Sequence, residues 1–155
     1  MSALGARAIQ VAIGELGTRE DPPGSNRGPK VDEYLRSVGV DPERGNYPWC
    51  AAFVGHCIRL ASIGWTEPVR FIPSASCARM VKLNAALLID EPEVGCVFVH
   101  LRDDGKGHTG FVTGLRDDGW TGVEGNTDAS GSRTGGQVMA QKRSRDYATH
   151  FLRVG

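Results

Sequence analysis

The sequence predicts an α+β domain, with helices in the first half of the chain and an antiparallel sheet in the second. Three observations predict it. Apolar residues recur at helical spacing as far as Val81, the period shortens to two after the Asp90-Glu91-Pro92-Glu93 break, and turn sequences punctuate the second half. Helices followed by a run of strands pack as a helical layer on one sheet. A chain of 155 residues with a 40% apolar share is long enough for one core, so a single domain, 1–155, is expected.

Each element has its own signal. Ile9, Ala12, Ile13 and Leu16 form the stripe of a first helix, which Gly17 stops. The stretch 18–28, with Asp21-Pro22-Pro23-Gly24, is a loop by its turn chemistry. Pro29 opens a second helix through Val31, Tyr34, Leu35 and Val38, closed by Gly39. After a second loop, Cys50, Phe53, Val54, Cys57, Ile58 and Ala61 make a third stripe ending at Gly64, and Ser74 is the expected cap of a fourth helix carrying Cys77, Met80 and Val81. Five strands are expected, at 96–101, 109–115, 120–124, 137–141 and 149–154, with Asp117-Asp118-Gly119 as a hairpin turn and a Gly/Ser-rich loop at 126–136.

Composition excludes several functions. Eighteen Lys and Arg balance eighteen Asp and Glu, so the chain lacks the basic footprint of a nucleic-acid or anionic-membrane binder. No apolar run approaches a membrane span, and the N-terminus lacks the charged and apolar regions of an export signal. Four cysteines spaced 7, 20 and 19 residues apart do not suggest a disulfide framework. No Cys-x-x-Cys or His-x-x-x-His pair offers a zinc site, so no metal and no cofactor is expected.

The chemistry is expected at Cys50. A thiol becomes a nucleophile when its pKa falls, and a helix N-terminus lowers it through partial positive charge and free N–H groups. Cys50 stands where the Asn46-Tyr47-Pro48-Trp49 loop enters the third helix. A cysteine hydrolase also needs a base oriented by a third polar group. His108 begins a strand, and Glu124 and Asn126 lie on the next one. A three-residue turn at 117–119 would put all three on one hairpin face, with Asn126 nearer to His108, whereas a two-residue turn would split them. A bulge or register shift would be needed to bring Glu124 closer. Tyr47, Trp49 and Trp120 are candidates for a substrate groove. Cys57, Cys77, Cys96, His100 and His150 read as structural, and His56, off the apolar stripe, as solvated.

The blocks Tyr47-Pro48-Trp49-Cys50-Ala51-Ala52-Phe53-Val54, Gly107-His108-Thr109-Gly110-Phe111-Val112 and Val123-Glu124-Gly125-Asn126-Thr127, in this order, resemble the CHAP family, the cysteine, histidine-dependent amidohydrolases/peptidases of phage endolysins and bacterial peptidoglycan hydrolases. The resemblance spans residues 9–154. It implies a papain-like fold, with the Cys on the helices and the His on the sheet, and cleavage of an amide bond in peptidoglycan. It matches Cys50 to the nucleophile, His108 to the general base, Glu124 to the residue orienting the imidazole and Asn126 to a supporting polar position. It therefore favours Glu124 over Asn126 as third member.

Two positions depart from the family pattern. Gly95-Cys96 stands where many relatives have Gly-Asp, which makes Cys96 a core residue. Asp41 and Glu43 resemble remnants of a calcium site, but Ala52 cannot ligate, so calcium is not expected. The resemblance implies bacterial peptidoglycan as partner, and a monomer is expected. Without a leader, the expectation is synthesis in the cytoplasm and action on the wall after holin-type release, as in a phage lysin, or after secretion as an effector. Two other readings are a non-catalytic peptidoglycan-binding module of the same fold and a general cysteine peptidase.

Overall fold

Turn chemistry and apolar stripes place four helices before the sheet. In the computed structural model, which describes residues 1–155, these are α1 (Ala3–Gly14), α2 (Pro29–Ser37), α3 (Cys50–Ala61) and α4 (Cys77–Leu83), with short 3₁₀ turns at Pro42–Arg44 and Ala85–Leu87. Ser2 caps α1 by accepting from Gly5 N–H, and Pro29 occupies the first turn of α2. The fourth helix starts later than expected. Ser76 rather than Ser74 is its cap, accepting from Arg79 N–H at 3.3 Å, while Ser74 bonds the N–H of Ser76. Cys77 is thereby the first helical residue instead of a member of an interior stripe.

Six strands follow, one more than expected: β1 (Leu88–Ile89), β2 (Val97–Leu101), β3 (Gly107–Arg116), β4 (Gly119–Thr127), β5 (Gln137–Ser144) and β6 (His150–Leu152). They form one antiparallel sheet in the order β1-β6-β2-β3-β4-β5. The extra strand, β1, has only two residues, too few to show an alternating pattern.

α3 is the centre of the helical layer, packed by α1 and α2 and lying against β3 and β4. It is buried from Cys50 to Ile58 and has no solvated face there. His56 is therefore buried, not solvated, with its ring 4.9 Å from that of Tyr34. The main core joins Phe53, Val54 and Ile58 of α3 to Val97, Val99, Phe111 and Val123 of the sheet. Strand alternation sends Phe98, Val112 and Trp120 to the opposite face, where they cluster with Cys96 and Phe151. Cys96 is core, as its departure from the family pattern implied.

The turn between β3 and β4 has two residues, Asp117 and Asp118, not three, because Arg116 pairs with Gly119. Glycine is required at 119: its φ is +155°, and a Cβ there would lie 1.9 Å from the carbonyl oxygen of Arg143. A two-residue turn alone would separate His108 and Glu124. The ladder instead slips between Val112 and Gly114, with Thr113 as the extra residue on β3, so Gly110 comes to face Glu124. A bulge of one residue restores the shared face.

Candidate functional site

Cys50 is the first residue of α3, and no side chain caps this helix. The first N–H groups of this turn have no intrahelical partners, and that of Ala51 favours the ionised Cys50 sulfur. The entry to the helix is fixed from below. Trp49 Nε1 donates to Glu20 Oε1 at 2.8 Å, and the Glu20 carboxyl lies against Gly136, whose carbonyl accepts from Glu20 N–H. Trp49 is fully buried by this anchoring and lines no groove. Trp120 is fully buried as well, packed at 5.6 Å from Phe98 and 5.3 Å from Phe151. The groove role expected for these two tryptophans does not hold, since neither ring reaches the surface. Tyr47 is half-buried, with its ring against Gly45.

His108 stands near the start of β3 and is fully buried. Its Nε2 is 2.8 Å from Glu124 Oε2. Glu124 is directly opposite Gly110, two residues along β3 from His108, so the carboxylate reaches the imidazole along the diagonal of the ladder. Gly110 leaves that path open: a Cβ there would lie 2.8 Å from Glu124 Cγ. A carboxylate only accepts, so Nε2 carries the proton and Nδ1 is the ring's free nitrogen. Nδ1 makes no ordinary hydrogen bond, and Cys50 is the neighbour that, with Glu124, favours its protonation.

Sequence reasoning missed one member of this row. Arg143 on β5 donates from Nε to Glu124 Oε1 at 2.8 Å and from Nη2 to Oε2 at 2.5 Å. Its guanidinium lies 4.2 Å from the centre of the Tyr147 ring, and Nη1 bonds the carbonyl of Gly131. The signal available was weak. An Arg on an alternating edge strand reads as solvent-facing, and Arg143 pairs with Trp120, not with Glu124, along the ladder.

Asn126 lies beside this row without bonding to it. The pairing of β4 with β5 shifts between Glu124 and Thr127, and Asn126 takes a φ of +56°. Its Oδ1 accepts from Gly136 N–H at 3.2 Å, and its buried Nδ2 has no partner. Glu124, not Asn126, is the residue at the imidazole.

Cys77 also departs from the sequence reading, because its sulfur lies 3.9 Å from that of Cys50. The two sulfurs line one cleft of about 310 Å³, which Lys106 and Arg133 border from the loops beside β3 and β5. No acidic side chain borders it, and neither cation makes an ion pair. Asp41 and Glu43 are exposed, with Asp41 spent on capping its own turn and pairing with Arg44.

The charges in this row support one another. Hydrogen bonding from Cys77 outweighs burial and, with His108, holds the Cys50 thiol well below the ordinary range. Burial alone would lower His108, but the Cys50 sulfur and Glu124 raise it to about 9. Burial would raise Glu124, yet Arg143 and His108 keep it below the usual carboxylate range. Cys57 and Cys96 are raised instead, both chiefly by burial, the latter to about 12. These directions favour a thiolate at Cys50, an imidazolium at His108 and a carboxylate at Glu124 beside the Arg143 guanidinium, charges that alternate in sign along the row. No family model, curated protein or solved structure matches the chain.

Proposed function

We propose that the protein is a cysteine amidohydrolase or peptidase of the CHAP type, with a papain-like arrangement of helix and sheet, that cleaves an amide bond of bacterial peptidoglycan. One observation carries the reading: Cys50, at an uncapped helix start, lines a cleft and forms a charge-balanced row with the buried His108, which Glu124 holds at 2.8 Å. The wall substrate rests on the three motif blocks around these same residues. The unpaired cations Lys106 and Arg133 suit a peptide that carries free carboxylates, as peptidoglycan stems do.

In this reading the Cys50 thiolate attacks the scissile carbonyl carbon, and the N–H groups of the first α3 turn stabilise the oxyanion. His108 gives its Nδ1 proton to the leaving amine, and the C–N bond breaks to leave a thioester on Cys50. Nδ1 then takes a proton from water, which hydrolyses the thioester and returns the thiolate. Glu124 keeps Nε2 protonated and the ring in plane throughout. Water enters as the second substrate.

The test is release of soluble fragments from purified sacculi. The wild type is expected to release them, and Cys50→Ser and His108→Ala to release none while keeping the wild-type circular dichroism. Mass spectrometry of the fragments identifies the bond that is cut. Fragment release by folded Cys50→Ser sinks the nucleophile assignment. Sacculus binding without release by the wild type would favour a non-catalytic module, and digestion of casein a general peptidase.

A further inference from the structure

Cys77 is the one thiol at the cleft that the hydrolytic mechanism leaves unused. We propose that Cys50 and Cys77 form a redox-modification site, in which a peroxide oxidises Cys50 and Cys77 resolves it as a reversible disulfide. The sulfurs are already 3.9 Å apart, and no other pair of the four cysteines is in such contact. A disulfide bond is about 2.05 Å long, so closure requires roughly 2 Å of travel. Both residues are the first of their helices, so each thiol is carried at a helix start that borders the cleft. Cys77 can approach because Gly107 faces it: a Cβ at 107 would lie 2.9 Å from the Cβ of Cys77.

Access favours this pair. Cys50 and Cys77 are 3% and 7% exposed and both line the cleft, whereas Cys57 and Cys96 are fully enclosed in the core. The chemistry balances with a peroxide as oxidant. The Cys50 thiolate attacks one peroxide oxygen, the S–O bond forms as the O–O bond breaks, and the leaving hydroxide takes the His108 proton to become water. The Cys77 thiol then gives its proton to His108, and its sulfur attacks Cys50 Sγ. The S–S bond forms, the S–O bond breaks, and the second hydroxide leaves as water with that proton. Two thiols are oxidised by two electrons and one peroxide is reduced to two waters.

Without a resolving partner, a sulfenic acid advances to the sulfinic acid, which thiol reductants do not reverse. Cys77 would thus both switch the site off and protect it. The site stands apart from the hydrolytic reading, because its formation is read on the sulfurs themselves.

The experiment treats the folded protein with a small excess of hydrogen peroxide, then titrates thiols and maps peptides by mass spectrometry before and after a dithiol reductant. The expected wild-type result is loss of two of the four thiols, a cross-linked peptide joining Cys50 to Cys77, and full recovery on reduction. Cys77→Ala is expected to lose one thiol of its remaining three and to carry sulfinic acid at Cys50 that reduction leaves in place. A wild type that shows no such cross-link, or that accumulates sulfinic acid at Cys50 as fast as the variant, overturns the proposal. The wild-type mapping decides the matter even if Cys77→Ala folds poorly.

Discussion

Arg143 grips Glu124 through both carboxylate oxygens, at 2.8 and 2.5 Å, while the same carboxylate holds His108. A bidentate guanidinium fixes the plane of a carboxylate as well as its charge, which an ammonium cannot do. Arg143→Lys is therefore expected to lower kcat by on the order of a hundredfold, the scale of an ångström's misplacement, with KM little changed. Arg143→Ala leaves Glu124 with one cationic partner and is expected to cost about 3 kcal/mol of stability, the usual range for breaking a buried pair. Denaturant unfolding together with steady-state kinetics checks both. An Arg143→Lys enzyme with wild-type kcat would show that orientation of Glu124 is immaterial.

Gly110 gives a second handle on the same geometry. Its missing side chain is what lets Glu124 lean across to the imidazole. Gly110→Ala adds a methyl 2.8 Å from Glu124 Cγ and 2.7 Å from the Val123 carbonyl oxygen. Overpacking of this kind costs roughly 1–3 kcal/mol. Activity is expected to fall further than stability accounts for, since the carboxylate must move. A parallel drop in which all remaining activity tracks the folded fraction would count against this.

The charge row also sets a pH dependence. The proposed hydrolysis requires thiolate and imidazolium together, and the two titrate as a pair. The alkaline limb of kcat/KM is expected near pH 9, where His108 loses its proton. Because its folded pKa is raised, the imidazolium's contribution to stability is complete below about pH 6.5 and is lost as pH climbs through about 9. The acid limb is expected below the ordinary thiol range, where the Cys50 thiolate protonates. Glu124→Gln removes one support of the imidazolium and is expected to move the alkaline limb down. A limb that stays at pH 9 in Glu124→Gln would refute the coupling.

Lys106 and Arg133 are expected to act on binding rather than chemistry. Each exposed charge pair is worth up to about 1 kcal/mol, or roughly fivefold. Lys106→Gln and Arg133→Gln are each expected to raise KM for a carboxylate-bearing peptide by up to that factor, with kcat unchanged. The increase should vanish when the peptide's carboxylates are amidated or when salt is raised. Equal effects on acidic and amidated peptides would remove the electrostatic role.

Much of the frame was legible because it depends on local signals. Pro29 and Gly39 bracket α2 as expected, with Gly39 at a φ of +82°, and the change of period at Asp90 marks the start of all the strands but the two-residue β1, which precedes it. Cys50, His108 and Glu124 were readable as residue types at fitting places. What stayed hidden depends on partners far along the chain. Arg143 reaches Glu124 across nineteen residues, and nothing around it distinguishes it from other strand arginines. His56 is buried because α2 covers the outer side of α3, a fact of packing and not of periodicity. The resemblance preferred Glu124 to Asn126, and a flat hairpin could not say why: the slip at Thr113 brings Glu124 within two residues of His108 along the ladder, and the break after Glu124, with Asn126 at a φ of +56° and its Oδ1 on Gly136 N–H, takes Asn126 away from the ring. Cys77 was misplaced by a two-residue error in a helix cap, which turns a core residue into one that borders the cleft.

Thr113 has a consequence for how this chain can vary in length. The two-residue turn and the bulge each shift the phase between β3 and β4 by one, and only their sum keeps His108 and Glu124 on the same side. Deleting Thr113, or adding one residue to the turn, would invert the facing of the whole distal half of the hairpin. Length changes between His108 and Glu124 are thus compatible with this arrangement only when they come as compensating pairs. The loop from Asp128 to Gly135 lies outside that interval and is under no such parity rule; what limits its length is the Gly131 carbonyl that holds Arg143 and the place of Arg133 at the cleft.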